Sequence, residues 1–244
     1  MIFYALNIFS IVTSILCRAE DLALPVTTCK RNSTDYSTCL KVALEESWPQ
    51  FLEGLPEFDF PRLNPFLYKY TKFVFNRNGI YGEIIGKNIT LFGLPITRFL
   101  DVRPHFLDDV FRLEIDIQIP RVFAHGYATG EINLLGIRGS GTGQVNLTIN
   151  EIRQTWHITG HVKNDTWTIE HFQITITIER MKVHLSGFFD DSKEFTDLLE
   201  AFINEYWPPI FRVVTPVVIE VLDPMLTDLT NRLFSKVSFS EVFL

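Results

Sequence analysis

Cysteine is scarce in this sequence, basic residues are outnumbered, and no stretch rich in proline, glycine or serine divides it. Lys and Arg number 22 against 29 Asp and Glu, a net charge of −7. No Lys/Arg cluster has aromatics interleaved, so a phosphate backbone would be repelled and nucleic acid is an improbable partner. Without a linker or a charge run there is no domain boundary, and a mature chain of about 225 residues is expected to form one domain. Charge is also missing from the N-terminus. No charged residue precedes Arg18, and Ile2 to Leu16 is apolar apart from Asn7, Ser10, Thr13 and Ser14. That run falls short of a bilayer span and suits the core of a signal peptide. Cys17 and Ala19 place small residues three and one positions before a cut after Ala19, so residues 1–19 are expected to be removed and 20–244 to remain. A retained membrane anchor is the competing reading.

Loss of Cys17 leaves Cys29 and Cys39 as the only cysteines, and a pair in an exported chain reads as one disulfide, with two free thiols as the alternative. Four Asn-x-Ser/Thr sequons, at Asn32, Asn88, Asn146 and Asn164, agree with export. A site that carries a glycan must face solvent. Asn88 and Asn146 fall on expected strands, which assigns those strand faces to the outside.

Enzyme signatures are largely absent. Ser140 lies in Gly139-Ser140-Gly141, but Arg138 and Thr142 stand where a nucleophile elbow needs glycine, and a strand pattern follows where a helix is required. Gly139, Gly141 and Gly143 lack the strand-turn-helix context of a phosphate cradle, so their expected role is to let a sheet coil or bulge. His157 and His161 have helical metal-ligand spacing, yet on a strand they stand roughly 13 Å apart. Asp108-Asp109 and Asp190-Asp191 read as turns or caps. No catalytic residue, metal ligand or cofactor is assigned.

What the chain does have is two clean periodicities. Phe111, Leu113, Ile115, Ile117 and Ile119 alternate with Arg112, Glu114, Asp116 and Gln118, a half-buried antiparallel strand. The same period of two returns at Val145, Leu147 and Ile149, at Phe172, Ile174, Ile176 and Ile178, and at Met181, Val183 and Leu185. Weaker versions cover Ile84 to Leu91, Ile132 to Ile137, Trp156 to Val162 and Trp167 to Ile169. Together they predict a long, curved meander with one apolar face. Beyond Asp191 the stripe Phe195, Leu199, Phe202, Tyr206, Ile210, Val214, Val217, Val221, Met225 and Leu229 is helical. Pro208, Pro209, Pro216 and Pro224 should bend that helix or break it into two or three pieces. A shorter helix is expected over Thr38 to Leu55, with Leu40, Ala43, Leu44, Trp48 and Phe51 as its apolar side. A long apolar helix and a long sheet with one apolar face have a joint solution in which the sheet wraps the helix.

Several segments carry a family resemblance. Gly54 to Pro65, with its two inner prolines Pro56 and Pro61, resembles the segment that follows the first helix in the takeout and juvenile-hormone-binding proteins of insects, with Asn64 where Asp is usual. Gly126 to Gly130 and Gly139 to Gly143 are similar to that family's mid-chain strand pair. Leu185 to Asp191, Phe202 to Trp207 and Asn231 to Leu244 resemble the turn, start and ending of its C-terminal helix, and the N-terminal cysteine pair fits. The resemblance implies an α+β fold in which a long curved antiparallel sheet wraps a long proline-bent helix and encloses a hydrophobic tunnel. It also implies transport of a fatty acid, juvenile hormone or related terpenoid, and with the N-terminal run and the missing enzyme signatures the chain is expected to be a secreted carrier and not an enzyme. The juvenile-hormone carriers typically have a second disulfide, absent here, which favours the takeout-like branch.

The expected ligand-facing surface opposes Leu113, Ile115, Ile117, Val145, Leu147, Ile149, Ile174 and Ile176 of the sheet to Phe202, Tyr206, Ile210, Val214 and Val217 of the helix. Trp156, Trp167 and Tyr206 would supply polar anchors. A filled core serving a secreted interaction protein, or less readily a lipid-ester hydrolase, remains the alternative. The partner is a small hydrophobic molecule, a receptor or membrane contact is open for delivery, and the chain is expected to be a monomer without stable membrane insertion.

Overall fold

The computed structural model describes residues 23–77, 80–134, 137–189 and 192–244. The expected signal peptide, Cys17 and the pair Asp190-Asp191 lie outside them. A helix α1 (Tyr36–Glu53) is followed by seven strands: β1 (Phe66–Arg77), β2 (Ile80–Phe92), β3 (Arg98–Leu107), β4 (Val110–Leu134), β5 (Ile137–Lys163), β6 (Thr166–Thr177) and β7 (Arg180–Ser186). The helices α2 (Lys193–Glu205), α3 (Trp207–Phe234) and α4 (Phe239–Val242) complete the chain. All strands form one antiparallel sheet in the order β1-β2-β4-β5-β6, with β3 added to β4 and β7 added to β5.

The β4–β5 hairpin is the axis of this sheet. β4 takes β3 along its first stretch and β2 along its second, while β5 takes β7 and then β6. The inward face changes parity midway. On β4, Phe111 to Ile119 bury odd positions, whereas Arg121 is exposed and Val122 buried. On β5 the even positions Ile152 and Ile158 are buried, Glu151 takes a left-handed φ of 49°, and beyond it the odd positions Ile149, Leu147 and Val145 turn inward. Pairing keeps its register across the switch, from Ile119 with Ile152 to Arg121 with Asn150. The strands therefore roll together, and the sheet curls.

Curling brings the two ends of the sheet to α3, which packs on β6 and also reaches β1 at the opposite end of the strand order. Pro208 and Pro209 occupy the first turn of α3, after a break at Tyr206, where the missing N–H groups would be unpaired in any case. Pro216 and Pro224 lie inside α3 without ending it, so the stripe runs in two helical pieces, α2 and α3, within the two or three expected. Both prolines belong to an exposed row, Arg212, Pro216, Glu220, Pro224, Asp228 and Arg232. The carbonyls they orphan are on the solvent side, where water satisfies them.

The edges of β6 and β7 are sealed by helix side chains. Asn231 of α3 accepts from the Ile169 N–H and donates to the Ile169 carbonyl, both at 2.8 Å, and Asn204 of α2 does the same to Val183. Asp223 accepts from the Phe172 N–H at 2.7 Å and faces His171, while Glu200 accepts from the Leu185 N–H and faces His184. Each amide imitates a neighbouring strand and removes an open edge. Burial pushes the Asp223 carboxyl up, but the Phe172 N–H, His171 and the Thr227 hydroxyl outweigh it and hold it below the ordinary carboxylate range.

One end of the curl is closed by helices. α1 lays Tyr36, Leu40, Ala43 and Ser47 inward and packs on β3, and α4 adds Phe239 to a ring cluster with Phe111, Trp167 and Phe243. Burial of Trp167 and Phe111 contributes roughly 4 to 6 kcal/mol each before entropy is set against it. The Cys29–Cys39 disulfide ties the N-terminal segment to α1, and Cys29 also bridges to Phe243.

Two consequences are measurable. Asn231→Ala leaves both Ile169 backbone groups unpaired and should cost about 2 to 4 kcal/mol in urea unfolding, with Asn231→Asp, which keeps the acceptor, intermediate. A loss under about 0.5 kcal/mol, the range of an ordinary surface change, contradicts the clamp. Because Asp223 titrates lower folded than unfolded, its contribution is complete above the unfolded value near 3.9 and is lost as pH falls through the folded one. Asp223→Asn should thus be less stable than the parent chain at pH 7, with the gap closing below about pH 4. A gap that stays constant between pH 2 and 7 rules out the carboxylate role.

Candidate functional site

The concave face has two halves of different character. Against α1, the aliphatic residues Leu113, Ile115 and Ile117 are between 1 and 6 % exposed, and Ile119, Ile152, Ile158, Phe99 and Val102 join them in one cluster. This half is filled. In the other half, bounded by β1, β2, β7 and the first turns of α3, the inward residues Phe73, Phe75, Ile84, Val145 and Leu147 are only half-buried. Ile210, Val214, Val217 and Val221 of α3 are half-buried as well. An apolar side chain that points into a curled sheet and still keeps accessible surface borders space that no described side chain fills.

Small residues create this space. After the parity switch the inward positions of β4 are Ala124, Gly126, Ala128 and Gly130, opposite Leu147, Val145, Gly143 and Gly141 of β5. A Cβ at Gly130 would meet no described atom within 4 Å, so open space begins there. Gly143 serves a different purpose: a Cβ would lie 2.4 Å from the Ser186 carbonyl oxygen. The chain leaving β7 crosses over it, and only glycine permits that approach. The coil expected of these glycines is thus a close crossing at Gly141 and Gly143.

The expected ligand-facing residues separate accordingly. Leu113, Ile115, Ile117 and Trp167 belong to the filled half. Ile149, Trp156, Ile174 and Ile176 are half-buried at its border, while Val145, Leu147, Ile210, Val214 and Val217 are half-buried outside that cluster. Phe202 and Tyr206 are each 53 % exposed and outside both core clusters. The helical stripe does not continue through α2, because that helix turns Thr196, Glu200 and Asn204 to β7 to satisfy its edge.

Among the expected polar anchors, the buried Trp167 indole N–H has no hydrogen-bond partner among the described residues. The Trp156 indole donates to Gln154 at 2.9 Å, and the Trp167 indole is enclosed by Phe111, Phe234 and Phe239. Thr71 of β1 was not singled out by sequence. It is 3 % exposed, stands on the inward face against Gly86, and its hydroxyl has no hydrogen-bond partner among the described residues. A lone threonine in an aromatic-rich strand gives no sequence signal of this.

Charge is kept to the convex side, where Arg103 holds Asp101, Glu114 and Asp116. Hydrogen bonds to Asp116 and Asp101 push its guanidinium further up. His157 lies against Thr175 and Arg112, and His161 against Asp109 and Glu170. Among the described residues no group of three or more His, Cys, Asp and Glu is placed to hold a metal. Ser140 is exposed on β5. A separate apolar cavity of about 310 Å³ lies between Ala23–Thr28 and Val237–Leu244, at the end closed by helices.

Comparison with known proteins agrees with this architecture. In fold the chain is similar to the crystal structure of Takeout 1 of Epiphyas postvittana, with a TM-score of 0.74 and 19 % identity over 89 % of this chain and 99 % of that one. A lipopolysaccharide binding protein overlays with a TM-score of 0.34 at 15 % identity, over 77 % of this chain and 38 % of its own, which carries no argument. No curated protein sequence matches the chain. A family model matches residues 8–244, nearly the whole length, and so the chain belongs to the haemolymph juvenile hormone binding protein family.

Proposed function

We propose that this chain is an exported, single-domain carrier that buries one elongated apolar molecule in the open half of its curled sheet and has no enzymatic role. The observation that carries the reading is the contrast along β4. Its first inward residues are packed in one cluster with α1, and its later ones, Ala124 to Gly130, are small and only half-buried. The family match supports a hydrophobic ligand, and a fatty acid, juvenile hormone or related terpenoid has the right chemistry. Among the described residues no helix is long and apolar enough to cross a membrane. Export after cleavage behind Ala19, and action as a monomer in extracellular fluid, belong to the same proposal.

Binding by burial has a quantitative signature. Each methylene removed from water contributes about 0.8 kcal/mol, so two added carbons tighten binding roughly tenfold until the chain outgrows the space. Salt should have little effect, because the inward face of this half is apolar among the described residues. The Thr71 hydroxyl offers an unpaired polar contact to a carbonyl, epoxide or carboxylate. Competition against a fluorescent fatty acid, with acids, alcohols and terpenoid esters of graded length, measures this. Gly130→Leu should keep the fold and lower the longest chain accepted, whereas Ile117→Ala should cost about 2 to 5 kcal/mol of stability and leave the length limit in place. Affinity that is flat with length, or that disappears at high salt, sinks the carrier reading and favours a surface-interaction protein.

A further inference from the structure

The convex face carries an aromatic patch that neither the core nor the candidate site uses. Phe92 of β2 and Phe123 of β4 are 37 and 38 % exposed, and both are close to His125, with ring centroids 5.9 and 6.0 Å away. Phe92 and Phe123 are 6.2 Å apart, and Tyr127, 51 % exposed, extends the patch along β4. An exposed aromatic cluster of this kind is a candidate contact surface.

Two sequons converge on it. His125 is paired on one side with Thr90, the hydroxyl residue of Asn88-Ile89-Thr90, and on the other with Asn146, the acceptor of Asn146-Leu147-Thr148. In the next row Phe123 is paired with Phe92 and with Thr148. Asn146 and Thr148 share the outward parity of Gln144, whose amide donates to the exposed Tyr127 hydroxyl. Among the described residues the Asn146 amide has no hydrogen bond that a glycan would break. Directly opposed strand residues have Cβ atoms about 4.5 to 5.5 Å apart, with diagonal neighbours still in reach of aromatic rings. A sugar joined to the Asn146 amide nitrogen therefore starts beside His125, with Phe123 and Tyr127 diagonal to it. The C–H bonds on one face of a pyranose carry partial positive charge, which matches the negative face of an aromatic ring. The other two sequons differ: Asn32 lies in the loop before α1 and Asn164 in the β5–β6 turn.

We propose that Asn146 carries an N-linked glycan whose first N-acetylglucosamine packs on His125, Phe123 and Phe92, so that this patch is a seat for the protein's own glycan. The proposal rests on export into a glycosylating compartment. To keep the two separable, the full chain is secreted from insect cells behind a heterologous leader, and ligand binding is measured on the same samples. Glycopeptide mass spectrometry reads occupancy of Asn146. Melting temperatures are compared for the parent glycoprotein, for the same protein trimmed to one N-acetylglucosamine, and for Asn146→Gln and Thr148→Val, each with Phe123 or Thr at position 123.

Expected are occupancy at Asn146, full retention of stability by the single sugar, and a loss of about 2 to 4 °C in Asn146→Gln and Thr148→Val. That loss should vanish in the Phe123→Thr background. An unmodified Asn146 in secreted protein overturns the proposal, as does an equal loss in both backgrounds. Failure of the carrier reading shows separately, as absent ligand binding by a normally glycosylated chain.

Discussion

β4 and β5 form a ladder of 25 residues against 27, far beyond the usual strand length, and a ladder of that length cannot remain flat. Twist accumulates along it, and the parity switch at Ile119–Val122 and Glu151 converts twist into curl without loss of register. Every other element takes its place from this pair. β3 and β2 attach in succession to one side, β7 and β6 to the other, so the two halves of the hairpin acquire different neighbours and different interiors.

The polar clamps on the outer strands decide how much of the interior must be filled. A helix held only by apolar contact would have to sink its whole stripe into the sheet. Here α2 and α3 are fastened by Glu200, Asn204, Asp223 and Asn231 to the backbone of β7 and β6, and each such bond saves a strand edge from open exposure. The apolar side of α3 around Val214 and Val217 can then stay half-buried at little cost, because attachment does not depend on it. Structure and proposed function are linked at this point: the scaffold is stabilised from its edges and from the end closed by α1, and the half-buried apolar face is left to the proposed ligand.

Much of this was legible in the sequence, and what was not has physical reasons. The alternation at Phe111–Ile119 and the shift from odd Ile149 to even Ile158 already encode the curl, and the helical period marks α1 and the C-terminal helices. The separate runs at Val145 and Trp156 proved to be one strand, β5, continuous through the left-handed Glu151. β1 escaped because inward Phe66 and Tyr68 give way to inward Thr71 and Phe73, so aromatics occur on both parities. β3 escaped because a register shift between Phe99 and Asp101 and Pro104 within the strand obscure its pattern, and both are tolerated by a strand that pairs on one side only. Within the site, aliphatic Leu113, Ile115 and Ile117 gave the strongest signal and lie in the filled core. The positions that make room are Ala and Gly, which pattern reading discounts, since open space is written as the absence of side chains.

The central claim is that the ligand lies in the half of the curl floored by Ala124 to Gly130 and away from the half sealed by α1. A crystal structure with a fatty acid brominated at its terminal carbon tests this directly, because anomalous scattering locates one atom of the chain independently of any tracing. The account predicts one bromine per chain, between the inward face of β2, β4 and β5 and the first turns of α3, near Gly130. A bromine among Leu113, Ile115, Trp48 and α1, or only on the outer surface of the sheet, would contradict it.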